Sequence, residues 1–191
     1  MSPELSNKTV QEIFSLYELY GNDDYIGEPV SQLEHMCQTA QLAVAEGYDD
    51  EVVLAAFLHD IGHLCEPVMI VGQMGGYGVM DHEVLAGNYL RDKGFSEKIA
   101  RLVESHVQAK RYLTYKYPGY FNKLSEASKI TLGKQGGVMT DAEAALFEQD
   151  HLHLLYIKLR EWDDEAKLEH QPLPSLDKYK EMAFRHFLSQ N

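Results

Sequence analysis

The sequence predicts an all-α fold, a helical bundle in a single domain. Three observations carry this. Apolar residues recur at helical spacing along most of the chain, and no run alternates convincingly as a strand would. Helix-start signals of the Ser/Thr-x-x-Glu type recur, at Thr9–Glu12, Ser31–Glu34 and Thr140–Glu143. Glycine or proline marks several breaks between the periodic stretches, as at Gly21, Pro29, Gly136–Gly137 and Pro172.

In chain order, Thr9 is expected to open a helix carrying Ile13, Phe14, Leu16, Tyr17 and Leu19, ended by Gly21. A polar loop follows, from Asn22 to Pro29. Ser31 opens a helix to about Gly47, with His35 in its first turns. A central helix runs from about Asp50 to His63 and reads as buried, with Leu54, Ala55, Ala56, Phe57, Leu58 and Ile61 around His59 and Asp60. Residues 64–80, with Gly72, Gly75, Gly76 and Gly78 beside Gln73, Met74 and Tyr77, read as a lid or binding loop. Asp81 caps a helix that starts with His82 and ends near Gly94. Ser96 opens another, carrying His106 and Lys110. The aromatic stretch Tyr112, Tyr115, Tyr117, Tyr120 and Phe121, read as packing under a loop with a cation-binding wall as the alternative, leads to a short helix from Ser125 that contains Ser128. Gly136–Gly137 breaks the chain, and Thr140 caps a long helix bearing Arg160, Trp162 and Asp163. Pro172 and Pro174 end it, and a last helix occupies about 175–190.

The chain's 191 residues suit one domain with a sizeable core. A formal net charge of −13 argues against a general nucleic-acid binder. No apolar run approaches the roughly 20 residues of a membrane helix, and no signal peptide is read at the start. Cys37 and Cys65, with no CxxC pair, read as reduced thiols of a cytoplasmic protein.

Chemistry concentrates in His59-Asp60-Ile61-Gly62-His63. A carboxylate in an apolar helix is costly unless something neutralises it, and a metal ion is a direct means. His59 and Asp60 are expected to splay about 100° apart on the helix, with His63 one turn beyond His59 on the same face. The candidate ligands are His35, His59, Asp60, His82, His106 and Asp163. They exceed the need of one ion and suit two, with Asp60 as the bridge. Imidazole with carboxylate favours iron, manganese or zinc. His35 to His59 and His82 to His106 are both 24 residues, about a helix, a turn and a helix back, so the ligands can converge at one level of a bundle. Lys110 shares a helix face with His106, and Arg160 lies three residues before Asp163, so both cations are expected to face the metals. Arg160 also has Glu161 and Asp164 beside it as alternative partners. His151, His153, His170 and His186 are read as outside the site, the last two among polar surface residues.

The pattern H…HD…H…H…D resembles the HD-domain superfamily over about residues 25–165, with the whole of 1–191 read as a single HD domain. Most of that superfamily are metal-dependent phosphohydrolases, and this remains the alternative reading. A narrower resemblance is to its mixed-valent diiron oxygenases, relatives of myo-inositol oxygenase, and among them the phosphonate-degrading members. That resemblance implies two iron ions in an Fe(II)/Fe(III) state with O2 as co-substrate. It implies a small hydroxyphosphonate substrate, 2-amino-1-hydroxyethylphosphonate or its N-trimethylated analogue. The C–P bond would break, giving phosphate and glycine or glycine betaine. By the same resemblance His63, Lys110, Ser128 and Arg160 hold the phosphonate, Tyr25 covers an open iron position until substrate arrives, and Glu28 helps to receive the amino end.

Overall fold

The structure is a computed structural model that describes residues 1–25, 27–66, 72, 74, 76 and 79–190. It is all-α, with no β-strand among the described residues. Helices α1 (Pro3–Tyr20), α2 (Gln32–Ala45), α3 (Asp50–Leu58), α4 (Ile61–Leu64), α5 (His82–Asp92) and α6 (Glu97–Lys116) make the first part. They are followed by α7 (Tyr120–Lys123), α8 (Glu126–Lys134), α9 (Asp141–Gln149), α10 (His153–Glu165) and α11 (Leu176–Ser189).

α3 is the axis. Its residues Val52 to Leu58 are all buried, because it is covered by α2, α6 and α11 and touched by α10. α6 carries the next layer, against α5 and α10, and α1 and α11 pack together on the other side. One continuous core follows, in which Phe14, Tyr17 and Tyr179 each stack on Phe57. Truncating such a side chain, for example Phe57→Ala, costs about 3–5 kcal/mol.

The caps explain most helix starts. Ser31 and Thr140 form complete capping boxes with Glu34 and Glu143, and Ser96, Ser125 and Ser175 each accept a backbone N–H in the first turn. Four expectations are corrected. α1 begins at Pro3 under a Ser2 cap, so Thr9 is a buried mid-helix residue with no terminal N–H to satisfy. The central helix is broken: α3 stops at Leu58, and Asp60 (φ −105°, ψ 13°) leaves helical geometry before α4 begins. The helix expected from Thr140 through Asp163 is two helices, parted at Asp150, whose carboxylate accepts from Leu152 N, Arg101 and Tyr156. His186 is buried, stacked on Phe95 and accepting the Ser96 N–H, rather than lying among surface groups. Part of the glycine-rich loop, including Gln73, Gly75, Tyr77 and Gly78, lies outside the described residues.

Candidate metal centre and substrate cavity

The break after α3 is what makes the centre. Freed from the helix, Asp60 turns its carboxylate so that each oxygen faces a different pair of imidazoles. Oδ2 lies 3.3 Å from His59 Nε2 and 3.6 Å from His35 Nε2. Oδ1 lies 3.3 Å from His82 Nε2 and 3.4 Å from His106 Nε2. Asp163 Oδ1 completes the first group, 3.4 Å from His35 Nε2. His35 and His59 are fully buried, and Asp60, His106 and Asp163 nearly so.

Three of the rings are oriented by the backbone. The Nδ1 atoms of His35, His59 and His106 meet the carbonyls of Ala166, Ala56 and Val103 at 2.9, 2.9 and 2.7 Å. Nδ1 must donate there, so Nε2 is the atom presented to the centre. His82 Nδ1 instead faces Glu83 Oε2 at 3.5 Å. Two close approaches place His82. Its preceding residue Asp81 adopts the left-handed region at φ 53°, which aspartate tolerates better than most residues. At Gly62, an added Cβ would sit 2.1 Å from the His82 carbonyl oxygen, so only glycine lets α4 reach α5.

These groups fit metal ions. The Nε2 atoms of His35 and His59 are 3.1 Å apart, and those of His82 and His106 are 3.0 Å apart. With Nδ1 committed to a carbonyl, His35, His59 and His106 turn Nε2 inward. Asp60 Oδ1 and Asp163 Oδ1 are buried without a hydrogen bond. Converging lone pairs and orphaned carboxylate oxygens need cations between them. Without metal, a proton serves in part: burial opposes charge on His59, but the adjacent Asp60 carboxylate prevails and lifts the ring to about 9. Burial holds His106 down at about 3. Asp60 and Asp163 stay well below the usual carboxylate range against the effect of burial, through His59 and Arg160 respectively.

His63 stacks on His82 and could also offer a ligand atom beside Asp60 and His82. Its Nδ1, however, accepts the Val79 N–H at 3.2 Å, and burial keeps the ring neutral, down at about 3. Its proton therefore sits on Nε2, which makes it a donor rather than a ligand. The expectation that His63 lies one turn beyond His59 on a shared helix is corrected by the break at Asp60.

A cavity of about 100 Å³ opens on the pair, with Asp60, His82, His106 and Asp163 on its floor. One wall is α8, whose hydroxyls at positions i, i+3 and i+6 each hold a charged side chain. Ser125 donates to Glu28 at 2.5 Å, Ser128 accepts from Arg160 at 3.5 Å, and Thr131 accepts from Lys110 at 3.0 Å. Both cations line the cavity, as expected. Arg160 also pairs with Asp163 at 2.6 Å and with Asp164, and receives support from Tyr120. Tyr120 thus braces the site rather than merely packing under a loop. Burial, helped by the Arg160 charge, brings the Lys110 ammonium down to about 7.

Tyr25 and Glu28 sit in a turn closed by an Asp24–Ser31 bridge. Gly27, at φ 84°, lies so close to α8 that a Cβ would meet Ala127 Cβ at 2.8 Å. The Tyr25 ring stacks on His35 at 4.1 Å. Burial and the Asp60 and Asp163 carboxylates keep its hydroxyl protonated. Glu28 is already paired, with Lys167 Nζ at 2.8 Å as well as with Ser125. Sequence reasoning missed Ser125, Thr131, Lys167 and Gln32. The three hydroxyls were visible as an i, i+3, i+6 face; Lys167 and Gln32 carried no such signal.

An all-α bundle that gathers four imidazoles and two carboxylates at one level defines a metal-using helical protein. The HD domain profile matches residues 33–155. Three relatives cover most of the chain. An uncharacterized protein of Acanthamoeba polyphaga mimivirus is 45% identical over 94% of this chain and 82% of its own. A hydroxymethylphosphonate dioxygenase of Gimesia maris is 37% identical over 92% and 88%. A 1-hydroxy-2-(trimethylamino)ethylphosphonate dioxygenase (glycine-betaine-forming) of Leisingera caerulea is 37% identical over 83% and 80%. The chain belongs to the HD-domain family, in the branch that holds these phosphonate dioxygenases, and is an oxygen-dependent oxidoreductase.

Proposed function

We propose that the protein cleaves the C–P bond of a small 1-hydroxyphosphonate with O2, using two iron ions held on either side of Asp60. The observation that supports this best is the split of Asp60, one oxygen toward His35 and His59 and the other toward His82 and His106. His35, His59 and Asp163 would hold one iron, and His82 and His106 the other. The bound pair, in a mixed-valent Fe(II)/Fe(III) state, supplies the activation of O2.

The chain's own residues do the rest. Lys110 and Arg160 neutralise the phosphonate dianion, Arg160 as a planar fork and Lys110 as a point charge. His63 Nε2 and the Ser128 hydroxyl add donors. Tyr25, seated on His35 and lining the cavity, would shield the centre from water until substrate takes its place. The reaction balances as R–CH(OH)–PO₃²⁻ + O2 → R–COO⁻ + HPO₄²⁻ + H⁺: the C–H and C–P bonds break, and both oxygen atoms end in the products. With the phosphonate anchored on the basic wall, the hydroxyl-bearing carbon is held over the centre. No side-chain acid or base is required beyond the positioned donors.

The same reading takes residues 1–191 as one HD domain of a cytoplasmic protein without nucleic-acid partners. The acidic balance and two free thiols support it, and no helix among the described residues is long and apolar enough to cross a membrane.

The test is simultaneous measurement of iron, oxygen uptake and phosphate release with 2-amino-1-hydroxyethylphosphonate. The expected result is phosphate released in step with oxygen consumed, and none without oxygen. Phosphate released from an ester without oxygen would instead mark a phosphohydrolase.

A further inference from the structure

The four imidazoles of the centre are not backed alike. Nδ1 of His35, His59 and His106 meets a main-chain carbonyl, a neutral acceptor. His82, at the start of α5, is the exception. Its Nδ1 faces Glu83 Oε2 at 3.5 Å, and each of these two atoms is buried with no hydrogen-bond partner among the described residues. His82 is 5% exposed and Glu83 6%, so water is not the answer for either. Among the described residues, the one ion-pair partner within reach of Glu83 is His82 itself; no lysine or arginine meets it.

We propose that Glu83 is a positioning residue of the centre: it accepts the Nδ1–H of His82, fixes the tautomer that turns Nε2 inward, and through that ring tightens the hold on the ion between His82 and His106. This rests on the two-ion reading above. Glu83 does not line the cavity, so it acts through His82 rather than on the substrate.

Burial is what separates this role from a structural one. A carboxylate in the first turn of a helix commonly serves the helix dipole, and such a group is exposed and weakly held. Glu83 lies in the first turn of α5 but is withdrawn from water with no lysine or arginine to pair it, which costs more than a helix terminus returns. A cation on the far side of the His82 ring offsets that cost, because a metal on Nε2 leaves the proton on Nδ1 and makes it a stronger donor. Neutral imidazole carries a single ring proton. Without Glu83, His82 would place it on Nε2, which has two acceptors in reach, His106 Nε2 at 3.0 Å and Asp60 Oδ1 at 3.3 Å. That tautomer closes the position to a metal. Glu83 reverses the choice, and its contact needs to shorten by less than about one ångström to become a charge-assisted hydrogen bond. A charged acceptor also pushes electron density into the ring, which favours the higher oxidation state of the ion it holds.

The experiment titrates the metal-free wild type and Glu83→Gln with Co(II) by calorimetry, and measures the melting temperature of both without metal. Glu83→Gln keeps the shape of the side chain and removes its charge. It should weaken one of the two uptake steps by about tenfold to a hundredfold and move the other far less. Metal-free Glu83→Gln should melt no lower than the metal-free wild type, because it loses a buried carboxylate that no lysine or arginine pairs. Loaded with iron, the variant should show a reduction potential shifted upward. Two unchanged uptake steps overturn the proposal; joined to a lower melting temperature, they mark Glu83 as purely structural. A measurement on the wild type stands even if the variant does not fold. In the zinc-loaded protein the His82 Nδ1–H proton should resonate downfield of those of His35, His59 and His106, since it alone meets a charged acceptor. A resonance among or upfield of the other three overturns the proposal. A wild type with one uptake step would defeat the two-ion reading, while the His82 resonance and the effect of Glu83→Gln on that step still decide the role of Glu83.

Discussion

The two halves of the site are built in opposite ways. The candidate metal half is drawn from α2, the α3–α4 break, α5, α6 and α10, and three of its rings are anchored by main-chain carbonyls. The candidate substrate half takes Lys110 from α6 and Arg160 from α10 and adds a turn, the short helix α8 and the stretch after α10, and its groups hold one another side chain to side chain. Backbone anchoring fixes a ligand whatever the neighbours are; side-chain anchoring lets one substitution retune a charge. The first half is suited to chemistry held constant, and the second to a substrate that varies.

Substitutions should separate the halves. Asp60→Asn removes one of two charged oxygens from the point both groups share. It is expected to lower metal content at both positions and activity by roughly a thousandfold or more, in the range of removing a preorganised electrostatic group. Elemental analysis beside kcat checks this; a variant that kept both metals would break the comparison. Gly62→Ala drives a Cβ into the His82 carbonyl and should deplete the position between His82 and His106 while sparing the one at His35 and His59. Metal titration should then show one strong step instead of two. In the substrate half, Lys110→Met should raise KM about tenfold to a hundredfold with metal content unchanged, as expected for a lost charged hydrogen bond.

A smaller effect sharpens the same contrast. Lys110 is protonated below its value of about 7 and loses its charge as pH rises through it. Phosphonate affinity in the free enzyme should therefore fall on the alkaline side of about 7, and Lys110→Arg, always charged, should remove that limb. A kcat/KM profile in pH for both proteins measures it.

What the sequence made legible follows the same division. The candidate ligands at 35, 59, 60, 82, 106 and 163 could be read because each is of a metal-binding residue type at bundle spacing, and the structure brings all six side chains together. The caps at Ser31, Ser96, Ser125, Thr140 and Ser175 were readable because capping is a local contact. The break at Asp60 was not, since apolar periodicity runs through it from Leu58 to Ile61. Thr9 showed a capping pattern with nothing to cap, because Ser2 and Pro3 start the helix earlier. Lys167 pairs with Glu28 across most of the chain, a contact that no local pattern encodes.

The most direct measurement is the iron stoichiometry of the loaded protein together with its low-temperature magnetic resonance spectrum. Two irons per chain, giving one signal from a coupled mixed-valent pair that Asp60→Asn abolishes, is the predicted result. One iron per chain with an isolated ferric signal, unchanged by Asp60→Asn, would contradict the account.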